Sequence, residues 1–228
     1  MLQQFQSIAS GEGVYKLLQQ QVQGLEYDYF ALCVRHPVPF TRPRLTLQST
    51  YPQAWMSHYQ AENYFAIDPV LRNENFIRGH LQWNDTLFRD TPELWNGARD
   101  HGLRKGVTQC RILPNHAQGF LSVSGNKPGP GPFAEDELEM RLSMLTELSL
   151  FTLLRLEDGM VMPPEMKFSR RELEILKWTA EGKTSAEVAM ILSISENTVN
   201  FHQKNMQRKF NAPNKTQIAC YAVATGLI

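Results

Sequence analysis

Cysteine is scarce in this chain. Its three residues, Cys33, Cys110 and Cys220, are far apart and odd in number, which argues against a disulfide framework and for a reducing compartment. All three read as reduced core thiols. Long apolar runs are missing: no stretch approaches the roughly 18 residues of a membrane span. The start, MLQQFQSIAS, lacks the basic-then-apolar layout of a signal peptide. We therefore expect a cytoplasmic protein with no membrane partner. The familiar signatures of chemistry are also lacking. GNKPGPGPF at 125–133 has no GKS or GKT ending, and its prolines remove the amide donors of a phosphate cradle; it reads as a connector. His36, His58, His80, His101 and His116 form no i, i+4 pair and have no cysteine partner, so no metal and no cofactor are expected. Asp68 with His58 or His80 could be drawn as two thirds of a catalytic triad, but no G-x-S-x-G nucleophile turn supports an enzyme.

Net charge is absent overall, with 23 Lys and Arg against 23 Asp and Glu, yet the balance is uneven along the chain. From Lys167 onward there are nine basic residues against five acidic, or +4, and residues 1–166 carry 14 against 18, or −4. If nucleic acid is bound, the C-terminal quarter should bind it. The two adjacent prolines and the glycine of RLEDGMVMPPEMKFSRRE interrupt every periodicity, which places a linker at 157–166 between domains at 1–156 and 167–228.

Before the linker, strand-like runs at 28–35, 44–50, 106–113 and 119–124 alternate with helical patterns at 2–23, 52–61, 92–101 and 134–156. PNHAQ joins the last two strands as a hairpin loop. The pattern predicts an α+β fold: an antiparallel sheet covered by helices, an α-β-α sandwich. After the linker the pattern is all helical. Ser169 with Glu172 and Thr184 with Glu187 are capping-box pairs, Gly182 stands where the first of these helices should end, and SIS forms a tight turn before another helix. With a last helix at 215–225, this is a four-helix domain with helix-turn-helix grammar.

The helix in SISENTVNFHQKNMQRKF, 193–210, has two faces at 100° per residue. Val199, Met206 and Phe210 fall on one side; Asn197, Asn200, Lys204, Gln207 and Arg208 fall on the other. Asparagine and glutamine suit adenine edges, arginine and lysine suit guanine or phosphate, and a helix fits the major groove of double-stranded DNA. His202 lies between the faces, where packing or capping is the better reading.

Residues 167–228 closely resemble the DNA-binding domain of the LuxR and FixJ type, through Glu172, Leu176, Gly182, Thr184, Glu187, Thr198, Val199, His202, Lys209 and Asn214 in that family's order and spacing. The resemblance implies that Asn200, Phe201 and Lys204 contact bases, with Gln203, Gln207 and Arg208 nearby. It also implies that Thr184, Ser185 and Thr198 meet backbone phosphates at helix N-termini.

The run YPQAWMSHYQAENYFAIDPVLRNENFIRGHLQW, 51–83, is similar to the autoinducer-binding domain of LuxR-type quorum-sensing regulators, through Trp55, Tyr59, Asp68, Pro69, Trp83 and, further on, Gly106. By themselves, aromatics at a spacing of four would be a core stripe, and Asp before Pro a turn. The resemblance implies a receptor for an N-acyl homoserine lactone or a similar amphiphile. Asp68 would accept from the ligand amide N–H, Trp55 donate to the lactone carbonyl and Tyr51 donate to the acyl carbonyl. Tyr59 and Trp83 would wall the head group, and Ser122 would add a hydrogen bond. Ala31, Cys33, Phe40, Leu47 and Leu71 are candidates for the tail's surroundings. Such regulators bind DNA as homodimers, so a ligand-responsive, non-enzymatic transcription factor is expected. The competing expectation is an enzyme that turns over an acylated substrate in the same pocket.

Overall fold

The computed structural model describes residues 1–72, 76, 79–126, 133–163 and 167–228; the connector at 125–133 and the linker at 157–166 lie partly outside them. The chain divides into two compact units. The first comprises Met1–Val34, Leu45–Leu113 and Gln118–Asp158; the second comprises Arg35–Arg44, Pro114–Ala117 and Gly159–Ile228.

The first unit is built on a five-stranded antiparallel sheet of order β2-β1-β5-β4-β3. Its strands are β1 (Tyr29–Arg35), β2 (Leu45–Ser49), β3 (His80–Gln82), β4 (Lys105–Ile112) and β5 (Gln118–Gly125). In β4 and β5, Cys110 pairs Phe120, Thr108 pairs Ser122 and Gly106 pairs Ser124. Because side chains alternate along a strand, these six share one face, and Gly119, Leu121 and Val123 take the other.

The long helix α5 (Glu135–Arg155) covers the second of these faces together with α1 (Leu2–Gln6) and α2 (Gly11–Gly24). It buries Leu142, Leu145, Leu150 and Leu153. Gly119 makes close approach possible: a Cβ there would sit 2.3 Å from a Leu150 methyl. The other face meets α3 (Gln53–Ala61) and α4 (Pro92–Asp100), whose Trp55, Tyr59, Leu94, Trp95 and Ala98 form a core with Tyr64, Val70, Phe88 and Leu103. The α-β-α sandwich is therefore the observed fold.

Two local differences from the sequence reading have clear causes. The helix expected over 2–23 is broken, because Ser10 caps α2 by accepting from the Gly13 amide. The Asp158 carboxylate also stands against Gly11, where a Cβ would lie 2.1 Å from its oxygen. The short β3 leaves no mark in the sequence, since three residues are too few to display an alternation.

The second unit holds α6 (Arg170–Ala180), α7 (Ser185–Leu192), α8 (Glu196–Phe210) and α9 (Lys215–Ala224) around Ile175, Leu176, Val188, Val199, Met206, Phe210, Ile218 and Tyr221. Both expected capping boxes form, at Ser169–Glu172 and Thr184–Glu187. Gly182 adopts φ 82°, the left-handed conformation that ends a helix at low cost to glycine. Ser193 takes the same region at φ 53° to turn α7 into α8, which Ser195 then caps. Buried Glu172 does more than cap: its carboxylate also accepts from Lys209 Nζ at 2.8 Å, tying the start of α6 to the end of α8. Lys209 and the backbone hydrogen bond to Ser169 lower the Glu172 pKa against the opposing effect of burial.

Candidate functional site

In the first unit, Tyr51, Trp55, Tyr59, Asp68, Trp83 and Ser122 line a single, largely apolar cavity with a few convergent polar groups, the composition usual for a small-molecule site. Helix α3 presents Trp55 and Tyr59 one turn apart, and both are buried. Asp68 caps a single 3-10 turn at Pro69–Leu71, its Oδ1 accepting from the Val70 amide at 2.9 Å. Its Oδ2 accepts from the Tyr59 hydroxyl at 2.6 Å. Tyr59 is thus a hydrogen-bond partner of Asp68 as well as an aromatic wall.

Burial raises the Asp68 pKa from 3.8 to about 6, against the lowering effect of the Tyr59 and Val70 hydrogen bonds and of Arg72. The Tyr51 hydroxyl is also raised, first by burial and then by the Asp68 charge. Its oxygen is buried, and the Ser122 hydroxyl beside it acts in the lowering direction. Trp83 donates its indole N–H to Thr108 Oγ1 at 2.9 Å, and Thr108 Oγ1 lies 2.8 Å from Ser122 Oγ. Two glycines admit the indoles: a Cβ at Gly106 would fall 2.5 Å from the Trp83 ring, and one at Gly97 would fall 2.9 Å from Trp55.

Of the residues expected around a tail, Ala31, Cys33, Leu47 and Leu71 line the cavity. Phe40 does not. It belongs to the second unit, is 56% exposed and packs edge-to-face on Tyr221 at 5.2 Å. Sequence reasoning missed Thr108, a fully buried hydroxyl whose place depends on strand register.

In the second unit, α8 turns Val199, Met206 and Phe210 inward. Lys204, Phe201 and Arg208 are exposed, and Asn200 and Gln207 are half-buried. Gln203, expected near the bases, is instead buried at 6% exposure. Its Oε1 accepts from Ser185 Oγ at 3.2 Å and its Nε2 donates to Thr179 Oγ1 at 3.2 Å. It lies nearer the Val199–Met206 side of the helix than the outward one, and it bridges α7 and α6. The Thr184 hydroxyl donates to Glu187 Oε2, and the Thr198 hydroxyl pairs with Ser195 Oγ. Those two side chains and that of Ser185 already have internal partners. Among the described residues no group of three or more His, Cys, Asp or Glu is arranged to hold a metal, and no helix is long and apolar enough to cross a membrane.

An aromatic-walled cavity with a polar end on a helix-covered sheet, followed by a helix-turn-helix with a polar outer face, defines a signal-responsive transcriptional regulator. Two family models match accordingly: the autoinducer binding domain over residues 10–151 and the bacterial regulatory proteins of the luxR family over residues 166–222. The chain belongs to the LuxR family of transcriptional regulators, and that family is not one of enzymes. It is 62% identical to the regulatory protein SdiA of Escherichia coli strain K12 over 228 residues, covering 100% of this chain and 95% of that one. To the quorum-sensing regulator RhlR of Pseudomonas aeruginosa it is 46% identical over 225 residues, covering 99% and 93%. A solved structure of SdiA in complex with octanoyl-rac-glycerol superposes with a TM-score of 0.91 at 62% identity, covering 100% of this chain and 93% of that one.

Proposed function

We propose that the cavity binds an N-acyl homoserine lactone or a closely related acylated amphiphile, and that two chains together read DNA through α8. One observation carries the ligand reading: a buried carboxylate, Asp68, stands at the polar end of an aromatic and aliphatic cavity beside the buried Tyr51 and Ser122 hydroxyls. An acyl lactone offers one N–H, two carbonyls and a tail. Asp68 takes the N–H, Tyr51 and Ser122 donate to the acyl carbonyl, Trp55 donates to the lactone carbonyl, and Ala31, Cys33, Leu47 and Leu71 surround the tail. A monoacylglycerol is the second reading, supported by the ligand of the SdiA structure. It keeps the acyl carbonyl and tail and offers Asp68 a hydroxyl in place of the amide. Incubating the purified protein with N-octanoyl homoserine lactone and extracting it tests the reading: intact, protein-associated lactone is expected. Hydrolysed lactone would support turnover, and no association would refute the ligand assignment.

The Asp68 pKa of about 6 gives this binding a pH dependence. The ionised carboxylate accepts the N–H more strongly, so lactone affinity should fall as pH drops from 7 through 6 towards 5. Stability without ligand runs the opposite way. The folded pKa exceeds the ordinary 3.8, so this group's stabilising contribution is full below about 3.8 and is lost as pH rises through about 6. Titrations at pH 5 and pH 7.5, with melting curves at each, check both signs.

For DNA, Asn200, Phe201 and Lys204 read base edges, Gln207 and Arg208 flank them, and Thr184, Ser185 and Thr198 meet phosphates through amides at helix starts. Lys204→Ala or Asn200→Ala should each cost about 1–3 kcal/mol on a specific site and relax preference at one base pair per half-site. Non-specific binding should fall much less, and a fluorescence-anisotropy comparison of the two DNAs reads the difference. The homodimer is supported by exposed Met140, Met144 and Phe151 along α5, at 63%, 50% and 44%, because apolar residues aligned on a helix favour a partner surface. The sensor is assigned to 1–156 and the DNA-binding domain to 167–228, in a cytoplasmic protein.

A further inference from the structure

Thr108 lies on β4 with no exposed surface. Its hydroxyl is the middle of a chain from Trp83 Nε1 at 2.9 Å to Ser122 Oγ at 2.8 Å. The direction of that chain follows from elementary chemistry. An indole N–H only donates, so Thr108 Oγ1 accepts from Trp83. Its own hydrogen then needs an acceptor, because a buried donor left unpaired is costly, and Ser122 Oγ is the acceptor within hydrogen-bond distance. Ser122 in turn accepts from Thr108 and is left with its own hydrogen to give. It lines the cavity beside the Tyr51 hydroxyl.

We infer that Thr108 is a positioning residue that fixes Ser122 as a hydrogen-bond donor into the cavity, making the site selective for ligands with an acyl carbonyl oxygen at that point. The inference rests on the reading of the cavity as the site of an acylated amphiphile. Trp83, held by Gly106 on the strand, is the fixed end of the relay. Reversal would leave the Thr108 hydroxyl without an acceptor, so the polarity is built into the fold before any ligand arrives. A ligand carbonyl between Ser122 and Tyr51 then meets two donors. A ligand with a methylene there leaves the two hydroxyls only each other as partners and binds less well.

The test compares 1-octanoylglycerol with 1-O-octylglycerol, two neutral probes that differ by that carbonyl, on the full chain. N-octanoyl homoserine lactone is measured alongside. Wild type should prefer the ester by roughly five- to tenfold, the worth of one or two neutral hydrogen bonds. Thr108→Val, of the same shape, should lower the preference to about two- to threefold, the share left by Tyr51. Thr108→Ser should restore it. Ser122→Ala should lose the same preference, and adding Thr108→Val to it should change the ratio no further, as expected for two residues acting through one hydroxyl. A Thr108→Val protein that binds the ester and keeps the wild-type ratio overturns the inference, as does a double variant that loses clearly more than Ser122→Ala alone. Wild type that binds neither glycerol probe nor the lactone overturns the cavity reading and the inference together. Should Thr108→Val fail to fold, the ratio in Ser122→Ala and Thr108→Ser decides: a wild-type ratio in Ser122→Ala, or a lost one in Thr108→Ser, overturns it.

Discussion

Asp68→Asn is expected to lower lactone affinity by roughly tenfold to a hundredfold, since a hydrogen bond to a charged group is worth about 1.5–3 kcal/mol. The carboxylate accepts everywhere around its two oxygens. One oxygen already serves Val70 and the other Tyr59, yet each keeps a further lone pair for a ligand N–H. In asparagine one of those oxygens becomes a donor. If the remaining oxygen stays with the Val70 amide, the new NH2 faces the Tyr59 hydroxyl and the ligand N–H; if it turns inward, the cap on the 3-10 turn is lost. The ligand-free protein should be less affected, or even gain stability at neutral pH, because asparagine removes a buried charge. The lactone-induced rise in melting temperature for wild type and variant reads the change. A full rise in the variant would mean that Asp68 is only a turn residue before Pro69.

The second large effect concerns DNA. A four-helix module of about 60 residues buries too little surface to select a unique genomic site alone, so two modules should bind an inverted repeat with half-site centres ~34 Å apart. Inserting five base pairs between the half-sites turns one by roughly half a helical turn. Specific binding exceeds non-specific by about 4–10 kcal/mol, and losing one half-site removes about half of that. Affinity should fall on the order of a hundredfold, and cooperativity should vanish. Unchanged affinity would show that one chain reads the site unaided.

What the sequence disclosed follows from which interactions are local. The capping boxes at Ser169 and Thr184, the left-handed Gly182 and the inward stripe of Val199, Met206 and Phe210 are set within one or two turns, and all appear in the structure. The six cavity residues are legible only through the family pattern; periodicity alone makes the tyrosines and Trp55 a core stripe. Contacts between distant segments were not legible. Asp158 stands against Gly11 across most of the first unit, Thr108 meets Ser122 only through strand register, and Phe40 turns to Tyr221 in the second unit. Gln203 shows a subtler limit. The family resemblance implies a place near the bases, but at 6% exposure the same amide satisfies two hydroxyls of neighbouring helices. A polar residue on the border of a helix stripe is as well suited to bridging helices as to reading DNA.

A crystal structure of the full chain with N-octanoyl homoserine lactone tests the central claim most directly. The account predicts the lactone inside the Trp55–Asp68 cavity, its amide nitrogen about 2.7–3.2 Å from the Asp68 carboxylate, its acyl carbonyl between Tyr51 and Ser122, and its tail against Ala31, Cys33, Leu47 and Leu71. A lactone bound elsewhere, or bound in the cavity with its tail against Asp68, would contradict it.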